Sequence, residues 1–400
     1  MKIKIFFTGH ETLENRGCEA LLRSIIYLIK SEFNNVSFLI PSKNPKKDSL
    51  LWGKDDSVKF FYSKVPLSIR IWAKIIKLNF FKKFLILFSP PLPKTYVLAI
   101  KQSNVIFSIG GDNYTDEGQF PLWIYKADKT AIKLKKKTYL MFATISNFKN
   151  LAYHETLQKH FKKFEQIIVR EKGSYDRLKN NYKINNALIT ADPTFFLKKK
   201  KCSFYDKFFI NKEKPNPIFV GINLSALINR LDKKHNLEKS IHELIRNKPE
   251  YNFILLPHVF EKKNNDLIYL KKFYDKIKCY HPNVFLIDRE LSSQELKYII
   301  GRLNIFIGSR THSALASFSQ EIPTISIAYS DKGFDIARSM YGSDKYTLDY
   351  KKITSYDLIE IFEEMLIKEK LIRSRLKTKN KEIKKELKLV IKNLFKDSTN

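Results

Sequence analysis

The chain has 400 residues, is 44% hydrophobic and carries a formal net charge of +32. Its periodic apolar runs exclude a disordered chain, and its length is more than one ordinary core holds, so two domains are expected. Three widely spaced cysteines, Cys18, Cys202 and Cys279, indicate neither a disulfide framework nor a zinc site and are typical of a reducing compartment. The first residues predict a strand rather than a signal peptide. The sequence contains no run of about 20 uncharged apolar residues, so no membrane span is predicted.

The first half predicts alternating strands and helices. Strands are predicted at 2–7, 36–40, 104–109, 137–142, 166–169 and 187–190, and helices at 18–32, 121–135, 154–164 and 173–181. A basic, aromatic insert at about 59–101 interrupts the series. We assign residues 1–197 to an N-terminal Rossmann-like domain and the Lys-rich, Pro-containing residues 198–217 to a linker.

The second half repeats the pattern. Strands are predicted at 218–223, 251–256, 283–287, 304–307 and 324–328, with helices between them. Such alternation implies right-handed βαβ units and parallel sheets, so residues 218–350 are assigned to a second Rossmann-like domain. The Lys/Glu-rich tail, 351–400, predicts one or two exposed helices. The predicted fold class is α/β, with two Rossmann-like parallel-sheet domains facing a cleft, as in the GT-B fold, and a C-terminal helical tail.

The most informative motif is Ser309-Arg310-Thr311-His312, between an apolar strand and a short helix. At the carboxyl end of a parallel strand these side chains face the crevice where α/β sheets bind ligands. The Arg310 guanidinium can bind a carboxylate or phosphate in bidentate fashion, and His312 can transfer a proton near neutral pH. An isolated R-x-H is more often a surface arginine beside a buried histidine, but the rest of the chain favours a site here.

Further polar residues follow other predicted strands. The loop containing Gly17 opens into a helix whose amino terminus can present N–H groups to an anion, and Gly110-Gly111 permit close backbone approach to a ligand. The other such segments are Arg170-Glu171, Asp192-Pro193, Pro257-His258 and Tyr329-Ser330-Asp331-Lys332-Gly333. Each alone also fits an ordinary turn, ion pair, helix cap or core histidine, and Asn15 fits an Asx-type turn. Together they predict a basic cleft for an anionic ligand.

The remaining histidines of predicted helices and turns receive a simpler interpretation. They lie beside lysines and are predicted to be solvated surface residues: His154, His160, His235, His242 and His281.

Seven short segments carry a family resemblance. They are Asn15-Arg-Gly-Cys-Glu-Ala-Leu21, Ser108-Ile-Gly-Gly-Asp-Asn-Tyr114, Val169-Arg-Glu171, Asp192-Pro-Thr-Phe195, Gly221-Ile-Asn-Leu-Ser225, Leu256-Pro-His258 and Ser309-Arg-Thr-His-Ser313. In this order they resemble the polysaccharide pyruvyl transferase family, from about residue 9 to 345. The R-x-H segment, continued by Ile322 to Lys332, is the most specific part. Many members carry Asp where Cys18 stands, which we interpret as a subgroup difference.

The resemblance implies transfer of a pyruvyl group from phosphoenolpyruvate to two hydroxyls of a sugar in a cell-surface or exopolysaccharide precursor, forming a cyclic ketal and releasing phosphate. It implies catalytic roles for Arg310, for His312 as acid/base and for His258 as helper or phosphate ligand. The implied substrate-binding residues are Arg170, Lys332, Asn15, Arg16, Gly17, Glu19, Gly110, Gly111, Asp112, Asp192, Ser309, Ser313 and Tyr329. No metal or cofactor is expected. By analogy with GT-B enzymes, the second domain would hold the donor and the first the acceptor, a sugar or lipid-linked oligosaccharide.

The segment 69–88 of the insert mixes aromatic and aliphatic residues with four lysines. It carries too much charge to span a bilayer but suits a helix lying in an anionic membrane interface, which a lipid-linked acceptor would make useful. The alternative is a helix that buries its apolar face in the core and solvates its lysines. The expected location is cytoplasmic, peripheral on the inner face of the cell membrane.

Two other functions fit the same architecture. A GT-B glycosyltransferase would use a basic cleft for a nucleotide sugar, although no base-recognition segment or ribose-binding acidic residue is recognisable. A non-catalytic glycan- or anion-binding accessory protein is the second alternative. Specific nucleic-acid binding is disfavoured, because the lysines are spread along the chain and no nucleic-acid-binding signature accompanies them.

Overall fold

The computed structural model describes residues 3–209, 217–232 and 234–394. The chain divides into two compact units. The first comprises Met1–Leu13, Leu28–Asp192 and Leu387–Asn400, and the second Glu14–Tyr27 and Pro193–Glu386. Part of the predicted linker, 210–216, and the end of the predicted tail, 395–400, lie outside the described residues.

The first unit is built on a seven-stranded parallel sheet. In chain order its elements are β1 (Ile3–Thr8), α1 (Arg16–Glu32, which begins in the second unit), β2 (Val36–Ser42), α2 (Pro45–Trp52), β3 (Val58–Tyr62), α3 (Leu67–Leu78), α4 (Lys82–Leu87), α5 (Lys94–Lys101), β4 (Val105–Tyr114), α6 (Leu122–Lys133), β5 (Lys137–Ile145), α7 (Leu151–Phe161), β6 (Gln166–Val169), α8 (Lys172–Asp176, continued by a π-helical turn at Arg177–Asn181) and β7 (Ala187–Ile189). The strand order is β3-β2-β1-β4-β5-β6-β7. The order reverses between β1 and β4, as in doubly wound sheets.

The second unit is built on a six-stranded parallel sheet. Its elements are β8 (Phe219–Asn223), α9 (Ala226–Leu231), α10 (Asn236–Asn247), β9 (Asn252–Leu255), β10 (Phe260–Glu261), β11 (Asn264–Asn265), α11 (Asp266–Ile277), β12 (Val284–Leu286), α12 (Ser293–Ile300), β13 (Ile305–Gly308), α13 (Thr311–Phe318), β14 (Thr324–Ala328), α14 (Asp331–Tyr341), β15 (Thr347–Asp349), α15 (Ser355–Ile367) and α16 (Glu369–Leu394, whose end lies in the first unit). Two 3-10 turns, Pro193–Phe196 and Ser203–Phe209, precede β8. The strand order β12-β9-β8-β13-β14-β15 reverses between β8 and β13.

Both sheets follow from the apolar runs of the sequence. The central strands are buried along nearly their whole length, for example Ile5 to Phe7 in β1 and all of β13. Parallel strands covered by helices on both faces require such continuous apolar runs rather than alternation. The predicted α/β class, the two parallel sheets and the helical tail are therefore confirmed. No helix among the described residues combines the length and apolar character that crossing a membrane requires.

Several predicted element boundaries are wrong. The strand predicted to end at residue 109 continues to Tyr114, because Gly110 lets β4 lie directly against β5. A Cβ on Gly110 would lie 2.3 Å from the carbonyl oxygen of Met141. The structure also contains elements that the sequence did not predict: α2, β3, the β10–β11 hairpin and β15. Those strands are two to five residues long and give little periodic signal.

The prediction that His160 is a solvated surface residue is also wrong. His160 is 3% exposed, because Tyr153, Leu157 and His160 lie on the buried face of α7 at helical spacing. Its Nε2 lies 3.1 Å from the hydroxyl of Tyr114, and burial, with the charges of two nearby lysines, lowers the pKa of His160 to about 3.

Tyr114 belongs to a buried hydrogen-bond network around Asp128. Asp128 accepts hydrogen bonds from Thr8 (2.6 Å), Ser108 (2.7 Å) and Tyr114 (2.8 Å), which tie α6 to β1 and β4. Burial raises the pKa of Asp128 to about 6, although these three donors oppose the shift. The network sits at the centre of the first sheet and holds its core together.

Replacing Asp128 with asparagine is expected to change how stability depends on pH. The folded pKa of about 6 exceeds the ordinary value of 3.8, so the protonated carboxyl stabilises the fold at low pH. This contribution is lost as pH rises from about 4 to about 6 and amounts to about 3 kcal/mol. The unfolding free energy of wild type minus that of Asp128→Asn should fall by this amount between pH 4 and 7.

Tryptophan fluorescence measures the unfolding free energy of each protein, because Trp52, Trp72 and Trp123 all lie in the first unit with Asp128. A difference between the two proteins that stays constant with pH would show that Asp128 is already ionised in the folded state below pH 6.

Candidate active site

One buried asparagine joins the two strands at which the order of the second sheet reverses. The side-chain oxygen of Asn223, at the end of β8, accepts a hydrogen bond from the amide of Arg310 (3.0 Å) and lies 3.1 Å from the hydroxyl of Ser313. Its side-chain amide donates to the carbonyl of Leu256 (2.8 Å), and its own carbonyl accepts from the amide and the hydroxyl of Ser309. Asn223 thereby fixes the loop between β13 and α13 at the position where doubly wound sheets bind ligands.

Arg310 pairs with a fully buried carboxylate next to this loop. Its Nη2 lies 2.7 Å from Oδ1 of Asp266 and its Nε 3.2 Å from Oδ2, and Asn264 accepts a further hydrogen bond from Nη2 at 3.0 Å. Asp266 also accepts hydrogen bonds from the backbone amides of Ala226, His258 and Val259. Within the described residues Nη1 of Arg310 forms no hydrogen bond, so one edge of the guanidinium remains available to an anion.

His258 lies beside this ion pair and is 4% exposed. Its carbonyl accepts a hydrogen bond from the amide of Arg16 (3.1 Å), but its Nε2 has no hydrogen-bond partner among the described residues. Burial, with the electrostatic effect of the nearby His312, Arg310 and Arg16, holds the pKa of His258 well below its usual range. Because a buried polar atom without a partner is costly, this nitrogen marks a place for a ligand atom.

Residues 14–17 belong to the second unit and contact the segment that contains His258. Asn15 forms an antiparallel bridge with Val259. The side-chain oxygen of Asn15 accepts a hydrogen bond from the amide of Gly17 at 2.9 Å, which gives an Asx-type turn at the start of α1. The side chain of Asn15 therefore holds its own loop in place.

The backbone of Gly17 lies directly against the ring of His312. A Cβ added to Gly17 would lie 2.4 Å from Nδ1 and 2.7 Å from Cγ of that ring. His312 is half-buried on the first turn of α13. Gly17 thus permits the first turns of α1 and α13 to approach each other and fixes where the imidazole can lie.

The charged residues Arg16 and Glu19 are buried and bonded to protein groups. The Nε of Arg16 donates to the carbonyl of Leu291, and the guanidinium lies 4.5 Å from the ring centre of Phe260. A carboxylate oxygen of Glu19 accepts from the amide of Ser293 at 2.9 Å. These contacts tie the start of α1 to the turn before α12, so they favour a positioning role for Arg16 and Glu19.

A pocket lies between the carboxyl ends of β13 and β14 and the first turns of α13 and α14. Its polar lining comes from Ser309, Thr311, Ser326, Tyr329 and Ser330, and its cavity volume is about 20 Å³. Lys332 is half-buried on the first turn of α14. Amides in the first turn of a helix point toward its N-terminal end and favour anions there. The pocket therefore combines hydroxyl groups with two helix amino termini.

The other predicted site residues lie in the first unit, after β6 and β7 or within β4: Gly110, Gly111, Asp112, Arg170 and Asp192. The buried guanidinium of Arg170 lies 2.6 Å from Asp192 and 3.2 Å from Glu171, and the exposed carboxylate of Asp112 lies 3.9 Å from it. Three carboxylates thus compensate the charge of Arg170. Groups of His, Cys, Asp and Glu that could hold a metal ion are absent from the described residues.

The family assignment rests on the whole stretch that contains these residues. The sequence model of the polysaccharide pyruvyl transferase family matches residues 15–331. The chain belongs to this family. The amylovoran biosynthesis protein AmsJ of Erwinia amylovora is 20% identical to this transferase in an alignment of 365 positions that covers 84% of this chain and 86% of that protein.

Solved structures resemble the transferase along its whole length. The UDP-GlcNAc 2-epimerase from Neisseria meningitidis superposes with a TM-score of 0.62 at 13% identity and covers 99% of this chain and 100% of its own. A glycosyltransferase from Rickettsia africae gives a TM-score of 0.58 at 11% identity, with 99% of each chain covered. At these identities the likeness shows the fold alone, which is the predicted GT-B type.

Sequence reasoning missed two residues that organise the site of this pyruvyl transferase, Asn223 and Asp266. Asn223 stands in one of the segments that resemble the family, but it is the last residue of an apolar strand and carries no charge. Asp266 follows Asn265 at the start of α11, where an acidic residue is ordinary helix chemistry. Only the tertiary structure brings Asp266 to Arg310, 44 residues further along the chain.

Gly17→Ala is expected to lower the kcat of the transferase by about tenfold or more, because the added methyl group forces the ring of His312 to move. The effect on stability should be smaller, since the helix preference of alanine, about 1 kcal/mol over glycine, offsets part of the roughly 1–3 kcal/mol cost of displacing the ring. Steady-state turnover and thermal melting of the variant measure the two effects separately.

A double-mutant cycle with His312→Ala shows whether the glycine acts through the histidine. In the His312→Ala background the substitution at Gly17 should cost almost nothing. An equal loss in both backgrounds would mean that Gly17 contributes by another route.

Proposed function

We propose that this pyruvyl transferase takes the pyruvyl group of phosphoenolpyruvate and joins it to two hydroxyls of a sugar in a cell-surface or exopolysaccharide precursor. The product is a cyclic ketal, and phosphate is released. The observation that carries the proposal is the grouping, beyond the carboxyl ends of β9 and β13, of the open edge of Arg310, the unpartnered Nε2 of His258 and the half-buried ring of His312.

The charges of this grouping suit a small anion with two acidic groups. Arg310 is paired with Asp266 on one edge only, and His258 stays neutral because its pKa is depressed. A guanidinium edge can bind a carboxylate or a phosphate, and a neutral imidazole can donate one hydrogen bond to an oxygen of the same molecule. The helix amino termini beside Ser309 and Tyr329 offer amides to the other acidic group.

The same residues supply the proton transfers that the reaction requires. The methylene carbon of phosphoenolpyruvate gains a proton, and the first sugar hydroxyl adds to the neighbouring carbon while its own proton passes to a base. The bond from that carbon to the phosphate oxygen then breaks, and the second hydroxyl forms the second ketal bond and releases its proton. We assign the acid/base steps to His312 and stabilisation of the departing phosphate to Arg310 and the helix amino termini.

We also propose that the reaction takes place on the cytoplasmic side of the cell membrane, where a lipid-linked acceptor is displayed. Helices α3 and α4 bury Ile69, Ile76 and Ile86, yet large apolar side chains of the same segment lie open to solvent. Phe80 is 99% exposed and Phe81 75% exposed, and both lie close in sequence to Lys77, Lys82 and Lys83. Exposed rings flanked by lysines are typical of helices that lie in an anionic membrane interface.

A calorimetric titration of phosphoenolpyruvate against wild type and Arg310→Lys tests the donor. Lysine keeps the charge that pairs with Asp266 but lacks the second N–H edge, so affinity should fall about tenfold or more in a folded protein. Turnover is read as released phosphate and as an acceptor mass gain of pyruvic acid less water. Binding of UDP-GlcNAc by a wild type that ignores phosphoenolpyruvate would instead favour a nucleotide-sugar glycosyltransferase.

A further inference from the structure

A groove lined by lysines lies between α4, α6 and α7 of the first unit and takes no part in the candidate active site. It encloses about 780 Å³. Its charged lining consists of Lys83, Lys126, Lys129, Lys133, Lys159, Lys163 and Glu155. The six ammonium groups outnumber the single carboxylate, so the groove carries a net positive charge that attracts anions.

The positive charge of the groove is hardly compensated. Glu155 is paired with Lys83, and in the part of the chain that the structure describes none of the other five lysines forms an ion pair. Lys126 is half-buried and donates to the carbonyl of Ser89 at 2.8 Å, and burial with the neighbouring charge of Lys129 lowers the pKa of Lys126. Holding like charges together costs free energy, which a bound anion would offset.

The groove continues into the exposed apolar surface of α3 and α4. Ile86 and Leu87 of α4 line the groove, and Leu87 is 63% exposed. Phe84 and Phe88 lie one turn apart on either side of Leu87; each is 60% exposed, and their rings lie 4.4 Å apart. A basic groove therefore borders directly on an aromatic and aliphatic surface.

We propose that this groove binds the phosphate-bearing head of a membrane lipid while the α3–α4 surface enters the adjoining acyl region. The inference rests on the membrane location proposed above and adds a specific headgroup site to it. The apolar border favours a lipid over free phosphate or duplex nucleic acid, because neither of these has an apolar part to bury against exposed Leu87, Phe84 and Phe88. A lysine ammonium binds phosphate as a point charge and, unlike an arginine guanidinium, does not require bidentate geometry. Lysines can therefore bind a lipid headgroup that approaches the groove from the membrane side only.

Vesicle co-sedimentation with the full chain tests the site. Phosphatidylcholine vesicles containing phosphatidic acid, which exposes a phosphomonoester, are compared with vesicles containing phosphatidylglycerol at matched surface charge. Wild type should bind the phosphatidic acid vesicles more tightly. The groove variant Lys129→Gln/Lys133→Gln/Lys159→Gln should lose that preference, with affinity falling roughly 100-fold, since each lysine at an anionic surface contributes about fivefold.

A matched control removes the same charge from exposed lysines of the second unit. Lys271→Gln/Lys272→Gln/Lys370→Gln should keep the preference for phosphatidic acid. Equal losses in the two triple variants, or none in the groove variant, would overturn the proposal. The proposal would also be overturned if the wild type bound inorganic pyrophosphate through these lysines but bound neither kind of vesicle.

Titration of phosphoenolpyruvate against the groove variant separates this inference from the proposed function. Unchanged donor affinity together with lost vesicle preference supports the headgroup site. Donor binding by a protein whose vesicle binding does not depend on the groove overturns the headgroup site and leaves the pyruvyl transfer proposal standing.

Discussion

His312→Ala is expected to lower the kcat of pyruvyl transfer by about 10²–10⁴-fold, the usual contribution of a positioned acid/base. Its ring is half-buried on the first turn of α13 and held against Gly17, so its position is set by the fold. The affinity for phosphoenolpyruvate should change far less, because Arg310 and the helix amino termini remain. A rapid-quench measurement of phosphate release, with a separate calorimetric titration, distinguishes the two effects.

The matched control is His154→Ala. His154 is also half-buried, but it stacks on Tyr182 in the first unit, with ring centres 4.4 Å apart. It should affect stability slightly and kcat hardly at all. If His312→Ala turns over at a rate close to wild type while His258→Gln does not, the acid/base role belongs to His258 and our assignment is wrong.

The sequence alone predicts those site residues that have ionisable side chains and directly follow a strand. Arg310 and His312 follow an apolar strand, and the order of the second sheet places that strand beside β8, where doubly wound sheets bind ligands. Periodic apolar runs were enough to predict both sheets and the tail helices α15 and α16. In each case the signal is local, because strand, helix and loop follow one another within about 20 residues.

The sequence does not predict which charges neutralise one another. Arg170 and Arg310 both follow strands, yet Arg170 is surrounded by three carboxylates whereas Arg310 keeps one edge open. The sequence suggests that Gly17 presents an N–H group to an anion and that Gly110 allows close approach to a ligand. The structure places their α-carbons against the His312 ring and the β5 backbone respectively. Such pairings depend on residues far apart in the chain, and periodicity carries no information about them.

Asp266→Ala is expected to lower the free energy of unfolding of the second unit by about 3–5 kcal/mol, the usual cost of leaving one member of a buried ion pair alone. The substitution leaves Arg310 without its carboxylate and removes the acceptor for the amides of Ala226, His258 and Val259. The binding of phosphoenolpyruvate should be lost with it, since Arg310 is then free to turn away from the site. All three tryptophans lie in the first unit, so hydrogen exchange of α11 and α13 is the appropriate measurement.

A double variant separates the effect of Asp266 on stability from its effect on phosphoenolpyruvate binding. In Asp266→Ala/Arg310→Met no unpaired charge remains, so the double variant should be more stable than Asp266→Ala. It should nevertheless bind no phosphoenolpyruvate. Asp275→Ala, which removes an exposed carboxylate from the same helix, should change stability by about 0.5 kcal/mol or less. If the double variant is as unstable as Asp266→Ala, the loss of stability comes mainly from the amides that lose their acceptor and not from the unpaired guanidinium. Asp266 would then be needed for the hairpin more than for Arg310.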